Sequence, residues 1–448
     1  MITRRNFIRI GTATVGTLAL RPFGLLPALA QNGPDYRALV CIFLFGGNDS
    51  NNMVIPTDDV NFKAYTSLRG SIALASTDLT PAVSDVVTGA PYAFHGKLPD
   101  VASLFSSKEL AVVANVGALV QPLTKVQYLA QKTPIPLNLF SHSDQQQTWQ
   151  TSVAQGHSPT GWAGRAADYI AAQKINSSSF PPFFSVAGNV QMGAGADTQP
   201  VAIAPGGSLQ LTGFNTTAAS QARLSALTSL LNLPSGVSLV QAANNVLANS
   251  ITDATALSNA LAGAAALKTQ FPTTSIGLQL KQVAQIIQAQ SALGMRRQIF
   301  FCSLGGFDTH TTEIPTHNLL YPQLSPALAA FYNATQELNM AQNVTTFTES
   351  DFSRTFQPTS GNGSDHAWGS HHLVIGGAVQ GGKIYGKFPT FQLGGPDDTD
   401  TRGRWIPTLS IDQYGATLCS WFGIPDSALA TVFPNLPNFP TANLGFLG

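Results

Sequence analysis

Charge is what this 448-residue chain has least of: Asp, Glu, Lys and Arg together make up 10% of it, against about a quarter in ordinary globular proteins. The 23 basic and 23 acidic residues cancel, so there is no excess of either sign to attract nucleic acid or another polyelectrolyte. Cysteine is scarce as well. Three residues, Cys41, Cys302 and Cys419, do not make a disulfide framework. The first two stand in apolar, strand-like runs, where a buried free thiol is the default. No apolar run reaches the ~20 residues of a bilayer-spanning helix, so a stable membrane anchor is not expected. No internal repeat is apparent, which argues against a solenoid or propeller. With so little charge, Ser, Thr, Asn and Gln must cover much of the surface.

The N-terminus is better defined. Thr3-Arg4-Arg5-Asn6-Phe7-Ile8-Arg9 sets two arginines before an aromatic-aliphatic pair, a mildly apolar stretch follows from Ile10 to Leu20, and Ala28-Leu29-Ala30 supplies a small-x-small cleavage site. This is the pattern of a twin-arginine signal over residues 1–30. It predicts passage through the twin-arginine translocase, which carries folded proteins, and a periplasmic or extracellular location for the mature chain from residue 31.

Within residues 31–448, four apolar runs are continuous rather than alternating, as expected of strands buried on both faces. Leu39–Phe45 ends at Gly46-Gly47, Leu110–Val116 at Gly117, Gln298–Leu304 at Gly305-Gly306, and Asn343–Thr348 at Glu349-Ser350-Asp351. Helical stretches from Gly277 to Leu293 and from Pro326 to Ala341 stand between them. The predicted fold is α/β: an open, mostly parallel sheet with helices on both faces. From about residue 176 to 274 the chain turns nearly charge-free, with a helical later part from Ala218 to Ala265. That stretch reads as an inserted cap.

In an open α/β sheet, ligands bind beyond the carboxyl ends of the strands. The residues with metal-ligand character gather at those ends: Asp49, Asp308 with His310, Asp351, and then His366 and His371. Five of the eight histidines fall between His310 and His372. Carboxylate with imidazole suits a divalent ion of the Zn or Mn type, and the donors suffice for one or two ions. Two such ions can clamp the attacking and leaving oxygens of a displacement. Ser141-His142-Ser143-Asp144 is a second polar group. A hydroxyl beside His and Asp makes Ser141, His142 and Ser143 candidates for nucleophilic chemistry, although a helix cap uses the same residue types. Arg354 can meet an anionic substrate or pair with Asp351, and Asn48 beside Asp49 is the other candidate substrate contact.

Taken in order, these motifs resemble one family. Phe45-Gly46-Gly47-Asn48-Asp49, Ser141-His142-Ser143-Asp144, Phe307-Asp308-Thr309-His310 with His317, Glu349-Ser350-Asp351-Phe352-Ser353-Arg354-Thr355, Asp365-His366-Ala367-Trp368-Gly369 and Ile406-Pro407-Thr408 are similar to those of domain-of-unknown-function family 1501. Nearly the whole mature chain is covered. That family is placed in the alkaline-phosphatase-like superfamily, with sulfatases and cofactor-independent phosphoglycerate mutases. The resemblance implies an alkaline-phosphatase-like core with a metal-dependent site. Asp49 would be the metal acid of the first strand, Asp308 with His310 the Asp/His motif, Asp351 the acid of the Asp-His pair, and His366 or His371 the late histidine. The chain departs from the superfamily in three places: the Asp308–His310 spacing is shorter than usual, Phe352 follows Asp351, and no residue clearly matches the nucleophile, for which Ser50, Ser141 and Ser143 are candidates. The expected function is an exported metal-dependent hydrolase of small-molecule or polymer phosphate or sulfate esters. The alternative is a non-catalytic exported binding protein that keeps the scaffold.

Overall fold

The computed structural model describes residues 35–206, 214 and 217–448; the signal-peptide residues 1–30 lie outside them. In chain order the strands are β1 (Arg37–Phe45), β2 (Val54–Pro56), β3 (Val83–Ser84), β4 (Pro91–Phe94), β5 (Leu110–Gly117), β6 (Phe183–Ser185), β7 (Val201–Ala202), β8 (Arg297–Gly305), β9 (Val344–Ser350), β10 (Ser370–Ile375), β11 (Ile384–Gly386) and β12 (Leu409–Ser410). The helices are α1 (Asp59–Arg69), α2 (Pro99–Ser106), α3 (Lys125–Ala130), α4 (His142–Thr151), α5 (Trp162–Ala172), α6 (Ala218–Leu231), α7 (Ser238–Ala262), α8 (Ser275–Gln288), α9 (Glu313–Glu337), α10 (Ile411–Phe422) and α11 (Asp426–Val432).

One large sheet runs in the order β11-β5-β10-β9-β1-β8-β6-β7, with β12 also paired to β5. β1 lies at its centre, parallel to β8 on one side and β9 on the other. The continuous apolar runs explain that position, since β1, β8 and β9 are buried along almost their whole length. Alternate residues of β1 face opposite sides. Leu39, Cys41 and Phe43 pack with Trp162 and Ile170 of α5 and Tyr414 and Leu418 of α10. On the other side α8 packs against β8 and against α9. Each fully buried aliphatic or aromatic side chain here contributes roughly 1.5–3 kcal/mol. Cys41, Cys302 and Cys419 are all buried free thiols.

The sheet is the open, mostly parallel one that the strand runs predict, with three differences. β10 runs antiparallel to both β5 and β9. Helix α9 starts at Glu313, not near Pro326, and runs through both Pro322 and Pro326. Within the stretch 176–274, β6 and β7 extend the sheet itself, and α6 and α7 then form a helical hairpin. No helix among the described residues is long and apolar enough to cross a membrane.

Candidate metal centre

The carboxyl ends of β1 and β8 both carry a Gly-Gly pair, and the close approach of the two loops requires it. Gly46 sits at φ 110°, and a Cβ there would lie 2.5 Å from the Asp308 backbone nitrogen. Gly47, at φ 79°, would drive a Cβ to 2.6 Å from the Phe352 ring. Glycine alone allows both the backbone and the contact. The loop after β8 can therefore lie across the loop after β1, and Asp308 is held at the sheet edge with half its side chain exposed.

Arg354, from the loop after β9, buckles these segments together. Its guanidinium is fully buried. It donates to the carbonyls of Gly46, Gly47, Phe307 and Ser364 and, at 2.6 Å, to Asp308 Oδ1. Burial works against the charge on Asp308, but the Arg354 hydrogen bond and charge outweigh it and hold the carboxyl below its ordinary range. Arg354 is thus committed to the protein, in contrast to the substrate contact expected of it.

Around Asp308 Oδ1 stand three imidazole Nε2 atoms: His310 at 3.2 Å, His142 at 3.4 Å and His366 at 3.8 Å. His310 Nε2 is also 2.9 Å from His366 Nε2. The other nitrogen of each ring fixes its tautomer. His366 Nδ1 lies 2.6 Å from the Phe140 carbonyl, which can only accept, so that nitrogen carries the proton. His142 Nδ1 lies 2.6 Å from Asp351 Oδ2. That carboxylate already accepts from the Gln146 amide and the Gly46 N–H, so the imidazole supplies the proton again. His310 Nδ1 donates likewise to Asp365 Oδ1 at 2.9 Å. For Asp365 burial opposes ionisation, but hydrogen bonds from Arg402 and His310 keep it ionised. All three Nε2 lone pairs therefore face the space beside Asp308.

That is the donor set of a zinc-type site, with carboxylates and a carbonyl orienting the imidazoles from behind. Tetrahedral ligands about 2.0–2.2 Å from an ion stand roughly 3.4 Å apart, and the separations above bracket that value. His142, Asp308 and His366 offer three donors within 4.8 Å of one another. His142 Nε2 is buried without a hydrogen-bond partner. An orphaned, desolvated lone pair costs free energy, and a cation would satisfy it. The residues fit a divalent ion. His310 Nε2 stands beside this set on the more exposed side, its ring 45% accessible.

Helix α4 brings His142 here. Ser141 caps the helix, its Oγ accepting from the Asp144 N–H, and His142 is the first helical residue. Ser141 Oγ also bonds Asp144 and Ser143, so the Ser-His-Ser-Asp segment is a cap that presents an imidazole. Sequence reasoning placed His142 in a nucleophile group and missed it as a metal donor.

Other candidates lie elsewhere. Asp49 is fully buried in an internal ion-pair cluster, contacted by Arg69, which also bonds Glu313 Oε1 at 3.0 Å. It accepts from Asn51 as well, so its oxygens are not in the centre. Asn48 is buried, accepting from Tyr321 at 2.8 Å and donating its N–H to Ser350; it lines no open site. Ser50 is buried and bonded to Ser353. His371 belongs to β10, where its Nδ1 accepts from the Asn115 N–H and its ring packs on Phe388. Asp351 touches the centre only through His142. Arg69 and Glu313 carried no local signal, because their partners are distant in sequence.

The model of the family described as "Protein of unknown function (DUF1501)" matches residues 36–399. The chain belongs to this family. In this chain, the Gly-Gly segment after β1 and the Asp-His-Ala-Trp-Gly segment are among the parts that close on Asp308. No curated protein matches the chain. Solved structures similar to it include Ps i-CgsB in complex with k-i-k-neocarrahexaose (9% identity, TM-score 0.36, covering 91% of this chain and 77% of that one). They also include the PsFucS1 sulfatase from Pseudoalteromonas sp. (8%, 0.34, 93% and 72%) and the zinc complex of the C-terminal periplasmic domain of EcEptC from Escherichia coli (11%, 0.28, 77% and 74%). Likeness this loose says nothing about chemistry.

Proposed function

We propose that this member of the DUF1501 family is an exported, metal-dependent hydrolase of phosphate or sulfate esters. The observation that carries the proposal is the convergence of three tautomer-fixed imidazoles on Asp308, at the strand ends where an open α/β sheet binds ligands. A divalent ion held by His142, Asp308 and His366 would supply Lewis acidity toward an ester oxygen and toward water. The chain's own part is positional. Asp351 and the Phe140 carbonyl orient two of the ligands, and Arg354 fixes the third. His310, with Nδ1–H anchored on Asp365, leaves a basic Nε2 at the exposed side of the centre. It is the group placed to take a proton from water or return one to a leaving alcohol. No step is assigned to Ser141 or Ser143, which serve the α4 cap.

The test is metal analysis of the mature protein, followed by assays with aryl phosphate monoesters, a phosphodiester and aryl sulfates in added Zn or Mn. The expected result is one or two ions bound per chain and turnover of at least one ester class, both lost in Asp308→Ala. Metal-loaded protein that turns over none of these esters sinks the hydrolase reading. Protein that takes up no metal sinks the centre itself.

A further inference from the structure

We propose that Arg402 and Arg404 form an anion subsite beside the metal centre and hold the charged oxygens of the ester. The inference rests on the hydrolase reading and names the residues that receive the tetrahedral phosphate or sulfate group. Both arginines are attached to residues that build the centre. Arg402 Nη1 donates to Asp365 Oδ2 at 2.6 Å, and the other oxygen of that carboxylate holds His310 Nδ1 at 2.9 Å. The Arg402 guanidinium thus stands one carboxylate and one imidazole away from His366 Nε2, which is 2.9 Å from His310 Nε2. Arg404 Nε donates to the His366 carbonyl at 2.8 Å. Its Cζ lies 4.5 Å over the ring of Phe140, whose carbonyl fixes the His366 tautomer.

Three features give these two arginines that role. First, the centre itself has no donor to offer. His142, His310 and His366 present Nε2 lone pairs, and Asp308 is a carboxylate. A tetrahedral ester bound to an ion through one oxygen keeps further charged oxygens, and the guanidinium fork matches them. Second, both arginines keep N–H groups for a ligand. Arg402 uses Nη1 on Asp365, and Arg404 uses Nε on His366 and Nη1 on Asp400 at 3.0 Å. Nε and Nη2 of Arg402 and Nη2 of Arg404 have no protein acceptor among the described residues, and the side chains are 33% and 22% accessible. Arg354, by contrast, is fully buried and donates to four carbonyls and Asp308. Third, the loop is held still. Asp398 is buried and accepts the N–H groups of Gly394, Asp400, Gly403 and Arg404. The Arg402 and Gly403 carbonyls accept from Gln357 and Phe356 at 3.0 and 3.2 Å. A backbone fixed in this way loses little freedom when its side chains bind.

Calorimetric titration of the zinc-loaded mature protein with inorganic phosphate and, separately, with sulfate tests the subsite without requiring turnover. Arg402→Gln and Arg404→Gln are measured beside the wild type, and their zinc affinity is followed by competition with a chromophoric chelator. The wild type is expected to bind at least one of the two anions, and the tighter one names the ester class. Each Gln variant is expected to hold zinc but to bind that anion about 10-fold more weakly or worse, the effect of losing a charge-assisted hydrogen bond. Arg402→Lys, which keeps the charge, is expected to recover part of the loss. Wild-type anion affinity in both Gln variants overturns the proposal, as does a wild type that holds zinc and binds neither anion. Variants that lose zinc together with the anion also overturn it, because the arginines then serve only the build of the centre. Protein that takes up no zinc removes the centre and this inference with it, whereas the preceding failures leave the zinc site of the wild type standing.

Discussion

His142 Nδ1 has one acceptor, Asp351 Oδ2, and that contact fixes the direction of the opposite lone pair. The Asp351 hydrogen bond comes first among the causes that raise the His142 pKa, ahead of the burial that opposes it. A carboxylate behind a metal-binding imidazole typically changes affinity by about 10–100-fold. Asp351→Ala is therefore expected to weaken Zn binding by that factor without abolishing it, whereas His142→Ala, which removes a donor, is expected to weaken it further. Competition against a chromophoric chelator measures both. Equal affinity in Asp351→Ala and wild type would show that Asp351 does not orient the ring. This one residue also shows what the sequence could and could not convey. Its place at a strand end was legible from the run Asn343–Thr348. Its role behind His142 was not, because the two are 209 positions apart and no local pattern records which carboxylate faces a metal and which faces a ligand.

At the scale of elements, the segment Gly46–Asn52 is a structural knot rather than a ligand loop. Asp49 meets Arg69 from the end of α1, Arg69 meets Glu313 from the start of α9, and Asn52 bonds both Glu313 and the Ile72 carbonyl. Burial and the neighbouring Asp49 push the Glu313 pKa well up; for Asp49 burial is outweighed by Arg69, and its pKa falls. One buried cation is thus matched by one buried anion. Removing a single partner of such a cluster leaves an uncompensated charge and costs about 3–5 kcal/mol. Arg69→Met is expected to lose that much in urea unfolding of the metal-free protein, and Asp308→Ala, half exposed, much less. If the two variants unfold alike, the division between knot and metal centre fails. The same scale separates what the pattern made readable. The parallel core strands announced themselves as unbroken apolar runs. β10 did not, because Ser370-His371-His372 opens it with residue types that read as ligands. The onset of α9 was set too late because Pro322 and Pro326 signal a helix start, yet the helix begins at Glu313 and accommodates both.

For the molecule as a whole, the buried histidines set the response to acid. Burial lowers the pKa of His95 to about 4 and those of His317, His371 and His372 to about 3 each. In the unfolded chain each titrates near 6.5. As pH falls below about 6.5, the unfolded state takes up protons that the native state refuses, so stability drops continuously down to the folded values. Asp412 works the other way. Burial raises its pKa to about 6, so the stability it contributes is complete below the unfolded carboxylate value and is lost as pH rises through 6. Glu313 and Glu349, whose carboxyls burial likewise pushes well up, act with Asp412. Three carboxyls thus offset three of the four imidazoles, and the native state still binds fewer protons than the unfolded chain between pH 6 and 4. The metal-free protein, kept in chelator so that ion release adds nothing, is expected to show a urea midpoint that falls modestly as pH drops over that interval. His372 meets Trp149 edge-to-face and Tyr414 at a tilt, and its Nε2 is buried without a partner, so an aromatic ring can replace it. His372→Phe removes one titrating group and is expected to lower the slope of unfolding free energy against pH by about 1.4 kcal/mol per unit. A slope unchanged by His372→Phe would mean that this imidazole is already protonated in the native state and that the acid response arises elsewhere.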